Sequence, residues 1–165
     1  MNIFYLDTNP TNIATWAIDA HVNKMTFESA QMLTAAHSPI RAEHFGYPFP
    51  LSVYSHPCTQ WVRRNQLHYE FLYTLMLCYA HEYTYRHRKD HYIIRKGIHK
   101  QLLNVPQDLP RIAWHDPPMA MPDDYKIGDD VIASYRNYYN VAKRTNKNGR
   151  PMHKWKNRDK PVWIS

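Results

Sequence analysis

Apolar residues recur at helical spacing through most of the chain. Val22, Met25, Ser29, Met32 and Leu33 lie on one stripe of a helix that Asp19 can cap and that runs to about Ala36, where Ser38-Pro39 ends it. Trp61, Leu67, Phe71, Leu72, Leu75, Met76, Tyr79 and Tyr83 predict a long helix with a break near Asn65. His56-Pro57 opens it, proline being favourable at the first helical position. Shorter helices are predicted from Pro10 or Thr11 to about Ile18, from Asp90 to Leu103, and from about Asp129 to Thr145. Residues 38–55 form a loop broken by Pro39, Gly46, Pro48 and Pro50, and residues 104–127 are proline-rich and irregular. Ile3 to Leu6 is either a short strand or a buried N-terminal extension. The pattern predicts an all-α fold: one compact helical domain over residues 1–145, then a basic, irregular, Trp-containing extension over 146–165.

Composition narrows the function. A chain of 165 residues with 44% hydrophobic and 14% aromatic content can bury a real core. Only four Gly are present, and neither a dinucleotide fingerprint nor a phosphate-binding loop motif occurs. Two cysteines, Cys58 and Cys78, lack metal-site spacing and suggest a reducing, cytoplasmic compartment. The N-terminus has no basic stretch of the signal-peptide kind, and the longest apolar run, Phe71 to Ala80, ends at His81-Glu82 before it reaches membrane-spanning length. His81-Glu82 lacks the second histidine of a zinc-protease helix, since position 85 is Tyr85. No metal or other cofactor is expected, and Glu82 with Arg86 reads as an i, i+4 ion pair.

Charge is more informative than size. The net charge is +7, and residues 143–160 carry eight Lys and Arg against Asp159 alone, leaving the remainder balanced. A segregated positive segment fits a polyanionic partner, DNA or RNA; a solubilising tail is the plainer alternative. Lys143, Arg144, Lys154 and Arg158 are the candidate backbone contacts, and Trp155 either ties the tail to the domain or belongs to a disordered end. Tyr135-Arg136-Asn137-Tyr138-Tyr139 interleaves rings and a guanidinium, as base stacking and phosphate binding require, although Tyr135 and Tyr139 at i and i+4 also suit a core. His56 stands at a helix start, where backbone N–H groups attract phosphate, with Arg63 and Arg64 following; the alternative is a histidine bonded to a loop carbonyl. At the same helix start the thiol of Cys58 is a candidate for a lowered pKa. His21, Lys24 and Glu28 share one helix face, either as a surface ion-pair ladder or as an acid–base site.

In their order along the chain these pieces resemble the phage pyrimidine-dimer DNA glycosylase/AP lyase family of the endonuclease V type. The carrying residues are Asp19-Ala20-His21 with Glu28 seven residues past the histidine, then His56-Pro57, then the Tyr135 to Tyr139 segment. The chain also resembles a set of uncharacterised phage proteins through His21 to Met25, Glu28 to Leu33, His56-Pro57 and Pro161 to Trp163. The first resemblance implies that Glu28 is the catalytic carboxylate, that His21 and His56 lie near it, and that Tyr135, Tyr138 and Tyr139 lie against a flipped base. The family attacks the sugar with the α-amine of a processed Thr. Here the corresponding amine is that of Met1, followed by Asn2, with Lys24 as the alternative.

The expectation is therefore a glycosylase acting on a damaged or modified pyrimidine base in DNA, with AP lyase activity where an amine attacks. Two rivals are a phage base-modifying transferase on the same scaffold and a non-enzymatic nucleic-acid-binding module in which Glu28 is structural.

Overall fold

The computed structural model describes residues 1–37 and 52–165, with the side chain of Ser52 left aside. The fold is all-α. Eight helices occur among these residues: α1 Pro10–Trp16, α2 Asp19–Ala36, α3 Ser52–Ser55, α4 Pro57–Val62, α5 Gln66–His87, α6 Tyr92–Arg95, α7 Ile98–Gln101 and α8 Val131–Ala142, with a 3-10 turn at Asp123–Tyr125. Most of the loop expected at 38–55 lies outside the described residues, and its end forms α3.

Local chemistry sets most of the boundaries. Asn9 accepts a hydrogen bond from Thr11 N and Pro10 opens α1. Asn65 accepts from Leu67 N and begins α5 after a clean break from α4, where the sequence pattern placed one. The last turn of α5 closes on Arg88, a left-handed residue at φ 56°. Asp130 caps α8 by accepting from Ala133 N. The helix expected over Asp90 to Leu103 is two short ones. Gly97, at φ 69°, turns the chain between them, a conformation that costs glycine little.

Asp19 does not cap α2. Ile18 holds the cap position without a side-chain bond, and Asp19 sits in the first turn. Its carboxylate instead takes Arg86 Nη1 at 2.9 Å and the backbone N–H of Lys156 at 2.9 Å. A partner 67 residues away outcompetes the local bond because Arg86 is fully buried and must be paired.

The core forms where α2 packs against α5. The two run antiparallel: the Asp19 end of α2 meets Arg86, and the far end meets Tyr69 through a 2.9 Å bond from His37 Nε2. Val22, Met25, Ser29, Met32 and Leu33, the stripe read from the sequence, are all buried. Ile3 to Leu6 is not a strand but an extended, buried thread. Ordering its backbone costs about 1–2 kcal/mol per residue, while burying each large apolar side chain contributes roughly 1.5–3 kcal/mol, so burial holds it without a sheet.

The C-terminal extension wraps over the helices. Trp155 Nε1 donates to Trp16 O at 2.8 Å, Asp19 N donates to Lys154 O at 2.9 Å, and Trp163 packs edge-on to Trp16 and Tyr139. Arg158 holds buried Glu82 with two bonds of 2.9 and 2.8 Å, and Arg86 holds the same carboxylate at 2.7 Å. Arg86 also donates to Thr15 O and Ala17 O at the end of α1, satisfying carbonyls that no helix bond reaches. The expected Glu82–Arg86 pair is thus the middle of a larger network. No helix among the described residues is long and apolar enough to cross a membrane.

Candidate active site

The amino group of Met1 lies 3.8 Å from Glu28 Oε1, and Lys24 Nζ lies 3.3 Å from the same oxygen. Met1 and Glu28 are 12% and 13% exposed, whereas Lys24 is 61% exposed. The second carboxylate oxygen, Oε2, is buried without a hydrogen-bond partner among the described residues. Glu28 is therefore a nearly enclosed carboxylate with two cations on one oxygen and, among the described residues, no hydrogen-bond partner on the other. An unpartnered buried acceptor is costly in a purely structural ion pair, and is what a group kept for a transient proton or ligand contact looks like.

The amine is held from several directions. Asn2 Nδ2 donates to Ala120 O at 2.9 Å, and Asn2 Oδ1 accepts from the hydroxyl of Tyr135 at 2.7 Å. Thr59 Oγ1, in α4, donates to Met1 Sδ at 3.6 Å. The backbone N–H of Ile3 hydrogen-bonds to the thiol of Cys58. The amine is thereby delivered to Glu28 by a fixed stem.

His56 is the cap of α4: its Nδ1 accepts from Cys58 N at 3.2 Å. The helix N-terminus expected to receive phosphate is thus already occupied by an imidazole. Partial burial lowers the His56 pKa and the nearby N-terminal ammonium adds to this, Glu28 opposing, so the ring is neutral at pH 7. Cys58 contradicts the lowered pKa expected of it. Burial pushes the thiol up to about 11, outweighing the hydrogen bond from Ile3 and the adjacent ammonium.

His21 is buried and its pKa is lowered to about 3, first by burial and then by Lys143 and Lys24. Its Nδ1 lies 2.8 Å from the Tyr139 hydroxyl, whose oxygen accepts from Ile18 N at 3.0 Å. That oxygen is set to donate its proton to Nδ1, leaving the imidazole proton on Nε2. His21 is therefore a neutral positioning ring, not a proton donor at neutral pH. It stacks on Phe4 at 4.4 Å, and Phe4 stacks in turn on Tyr138 at 6.3 Å.

The tyrosine segment divides. Tyr135 and Tyr139 are fully buried, so both belong to the core, as their i, i+4 spacing allowed. Neither ring is placed to stack on a base. Tyr138 is half-buried, with Lys143 Nζ 4.4 Å from its ring centre and 2.9 Å from its hydroxyl. Tyr138 and Lys143 are linked to His21 through Phe4.

Several other candidates have structural partners. Arg136 lies between Trp16 and Trp163 at 5.3 and 5.5 Å and donates to Leu6 O at 2.9 Å. Arg144 is tied to Ser165, and Arg158 to Glu82. Trp155 is a packing residue, and Lys154 is exposed. Arg63 and Arg64 are exposed at the end of α4, Arg63 beside the Tyr54 ring. The tail crosses the Asp19 end of α2, nine residues or about 14 Å of helix from Glu28, and does not wall it. Asn2 and Thr59 were missed by sequence reasoning. Both gain their roles only from the path of the N-terminal thread, which leaves no local signal. Among the described residues no group of three His, Cys, Asp or Glu is placed to hold a metal.

Scans of family models, of curated proteins and of solved structures each found no match to this chain.

Proposed function

We propose that this chain is a DNA glycosylase-like enzyme acting on a damaged or modified pyrimidine base, with an AP lyase step through the α-amine of Met1. The observation that carries it is the 3.8 Å approach of that amine to the enclosed Glu28 carboxylate. Glu28 takes a proton from the ammonium, and the freed nitrogen attacks C1′ of the sugar. The glycosidic bond breaks with its electron pair on the base, and the protonated Glu28 returns the proton to the leaving base. The alkylated nitrogen then gives up a proton, the C1′–O4′ bond breaks with its electron pair on O4′, which takes that proton, and the nitrogen lone pair closes an iminium with C1′. Lys24 fits the nucleophile less well. Its side chain is 61% exposed, whereas that of Met1 is enclosed beside Glu28. Its charge, with those of Lys143 and Lys154, supports binding to the DNA backbone.

The test is reductive trapping. Duplexes carrying pyrimidine lesions or modified pyrimidines are incubated with protein and borohydride, and the adduct is mapped by mass spectrometry. A covalent adduct on the Met1 peptide, lost in Glu28→Gln, is the expected result. Base release without an adduct removes the lyase step and leaves a monofunctional glycosylase. No release and no adduct on any substrate overturns the reading, and a base carrying added mass instead would identify a transferase.

A further inference from the structure

Two cavities run along the outer face of α5. The first, of about 450 Å³, lies between α1 and α5 beneath Arg158, with Thr11, Thr15, Thr74 and Cys78 on its walls. The second, of about 690 Å³, continues toward the C-terminal end of α5, past Ala80, Tyr85, Arg88 and Ile94. Leu77 and His81 line both, so the two form one groove. Thr74, Leu77, His81, Thr84 and Arg88 recur at helical spacing on a stripe roughly opposite Tyr79, the residue of α5 that senses Glu28. The groove therefore faces away from the Met1–Glu28 site. It spans 14 residues of helix, about 21 Å, which is long for a single nucleotide and suits a short strand.

Its chemistry is graded. Leu77, Ala80 and Ile94 supply an apolar floor, and the far end carries Arg88 with Asp90. Residues 88–100 hold Arg88, Lys89, Arg95, Lys96 and Lys100 against Asp90, a second basic run beside that of the tail. The fold joins the two runs at Tyr85. The Tyr85 hydroxyl donates to Asn157 O at 3.3 Å, Arg158 lies over its ring at 4.0 Å, and Arg88 lies beside it at 5.6 Å. Arg158 is neutralised by Glu82 and Asp90 lines the groove beside Arg88, so the excess positive charge at this end comes from Lys89 and Lys156, which flank His87.

We infer that this groove binds a single-stranded nucleic-acid segment, with phosphates at the Arg88 end and unpaired bases over Leu77, Ala80 and Ile94. A duplex offers phosphates but no base faces to an apolar floor, and single strands are held by this pairing of cations with a stacking or apolar surface. The inference is independent of the chemistry proposed for Glu28.

The test uses the full chain and a fluorescent oligothymidylate of about fifteen nucleotides. A second oligonucleotide carries 5-iododeoxyuridine for photocrosslinking. Binding should weaken about tenfold or more in His81→Glu and in Arg88→Gln, and the strand should crosslink to the α5 peptide containing Tyr85. Wild-type thermal midpoints for the two variants show that folding is intact. If either is destabilised, the crosslink on the wild-type chain decides. Binding within twofold of wild type in both variants, crosslinks confined to the Tyr138–Lys143 face, or equal competition by duplex DNA or polyglutamate would overturn the inference.

Discussion

Tyr135 donates its hydroxyl to Asn2 Oδ1 at 2.7 Å, tying the second residue of the chain to its last helix. The same hydroxyl reaches Pro118 O at 2.7 Å and accepts from Ala120 N at 3.3 Å, so one buried oxygen organises three backbone or amide groups around the amine. Tyr135→Phe leaves those groups short of a partner and should lower stability by about 1–3 kcal/mol. On the proposed mechanism kcat falls while DNA affinity holds, because the amine is misaimed rather than removed. Urea unfolding and single-turnover base release report the two effects. An unchanged rate would show that the clamp only stabilises the fold.

Glu28→Gln should abolish base release and trapping while leaving the fold intact. The amide removes the proton acceptor and keeps the volume. Circular dichroism melting with parallel activity assays separates this from a structural role, in which the melting point moves and no activity is at stake.

The carboxylate of Glu82 should make stability acid-sensitive. Burial raises its pKa, but the hydrogen bonds and charges of Arg158 and Arg86 outweigh burial and hold it below the ordinary value of 4.5. A lowered folded-state pKa means the stabilisation is complete above about 4.5 and is lost as pH falls through the depressed value. Glu82→Gln should flatten the low-pH limb of the urea midpoint. At neutral pH it should cost roughly 3 kcal/mol, since Arg86 is left buried with only Asp19 as an anion.

His21 and His91 act in a higher window. Burial lowers them to about 3 and about 4 from 6.5, so both are neutral when folded. The unfolded chain takes up their protons first. Stability is complete above pH 6.5 and drains as pH falls toward 4 and then 3. Unfolding midpoints between pH 7 and pH 4 should decline, less steeply in His91→Phe. A flat profile would contradict the buried neutral state.

Thiol reagents should distinguish the two cysteines. Cys58 is fully buried and burial raises its thiol to about 11, while Cys78 is partly accessible in the groove beside α1. One thiol should titrate quickly in native protein and the second only with unfolding.

The stripe on α2 was legible because an amphipathic helix repeats its own evidence every turn. The break at Asn65 and the i, i+4 pairing of Glu82 with Arg86 were legible for the same local reason. What sequence alone missed depends on distant chain. Asp19 looked like a cap because Arg86 stands 67 residues away. Tyr135 and Tyr139 looked like stacking platforms because their basic neighbours suggested a surface, yet their i, i+4 spacing already described a core face. Glu28 stood out by its spacing from His21, but the amine above it could be placed only once the path of Ile3 to Leu6 was known. The charges around the end of the groove escaped notice because they come from two runs that meet at Tyr85 and His87.

The thread from Ile3 to Leu6 bears on how the molecule is made. Phe4 packs on Tyr138 and Tyr139, and Asn2 bonds to Tyr135, all of them more than a hundred residues away along the chain. Contacts of such long sequence separation close late and slowly in folding, so assembly of the centre is governed by distant pairings rather than by the helices that frame it.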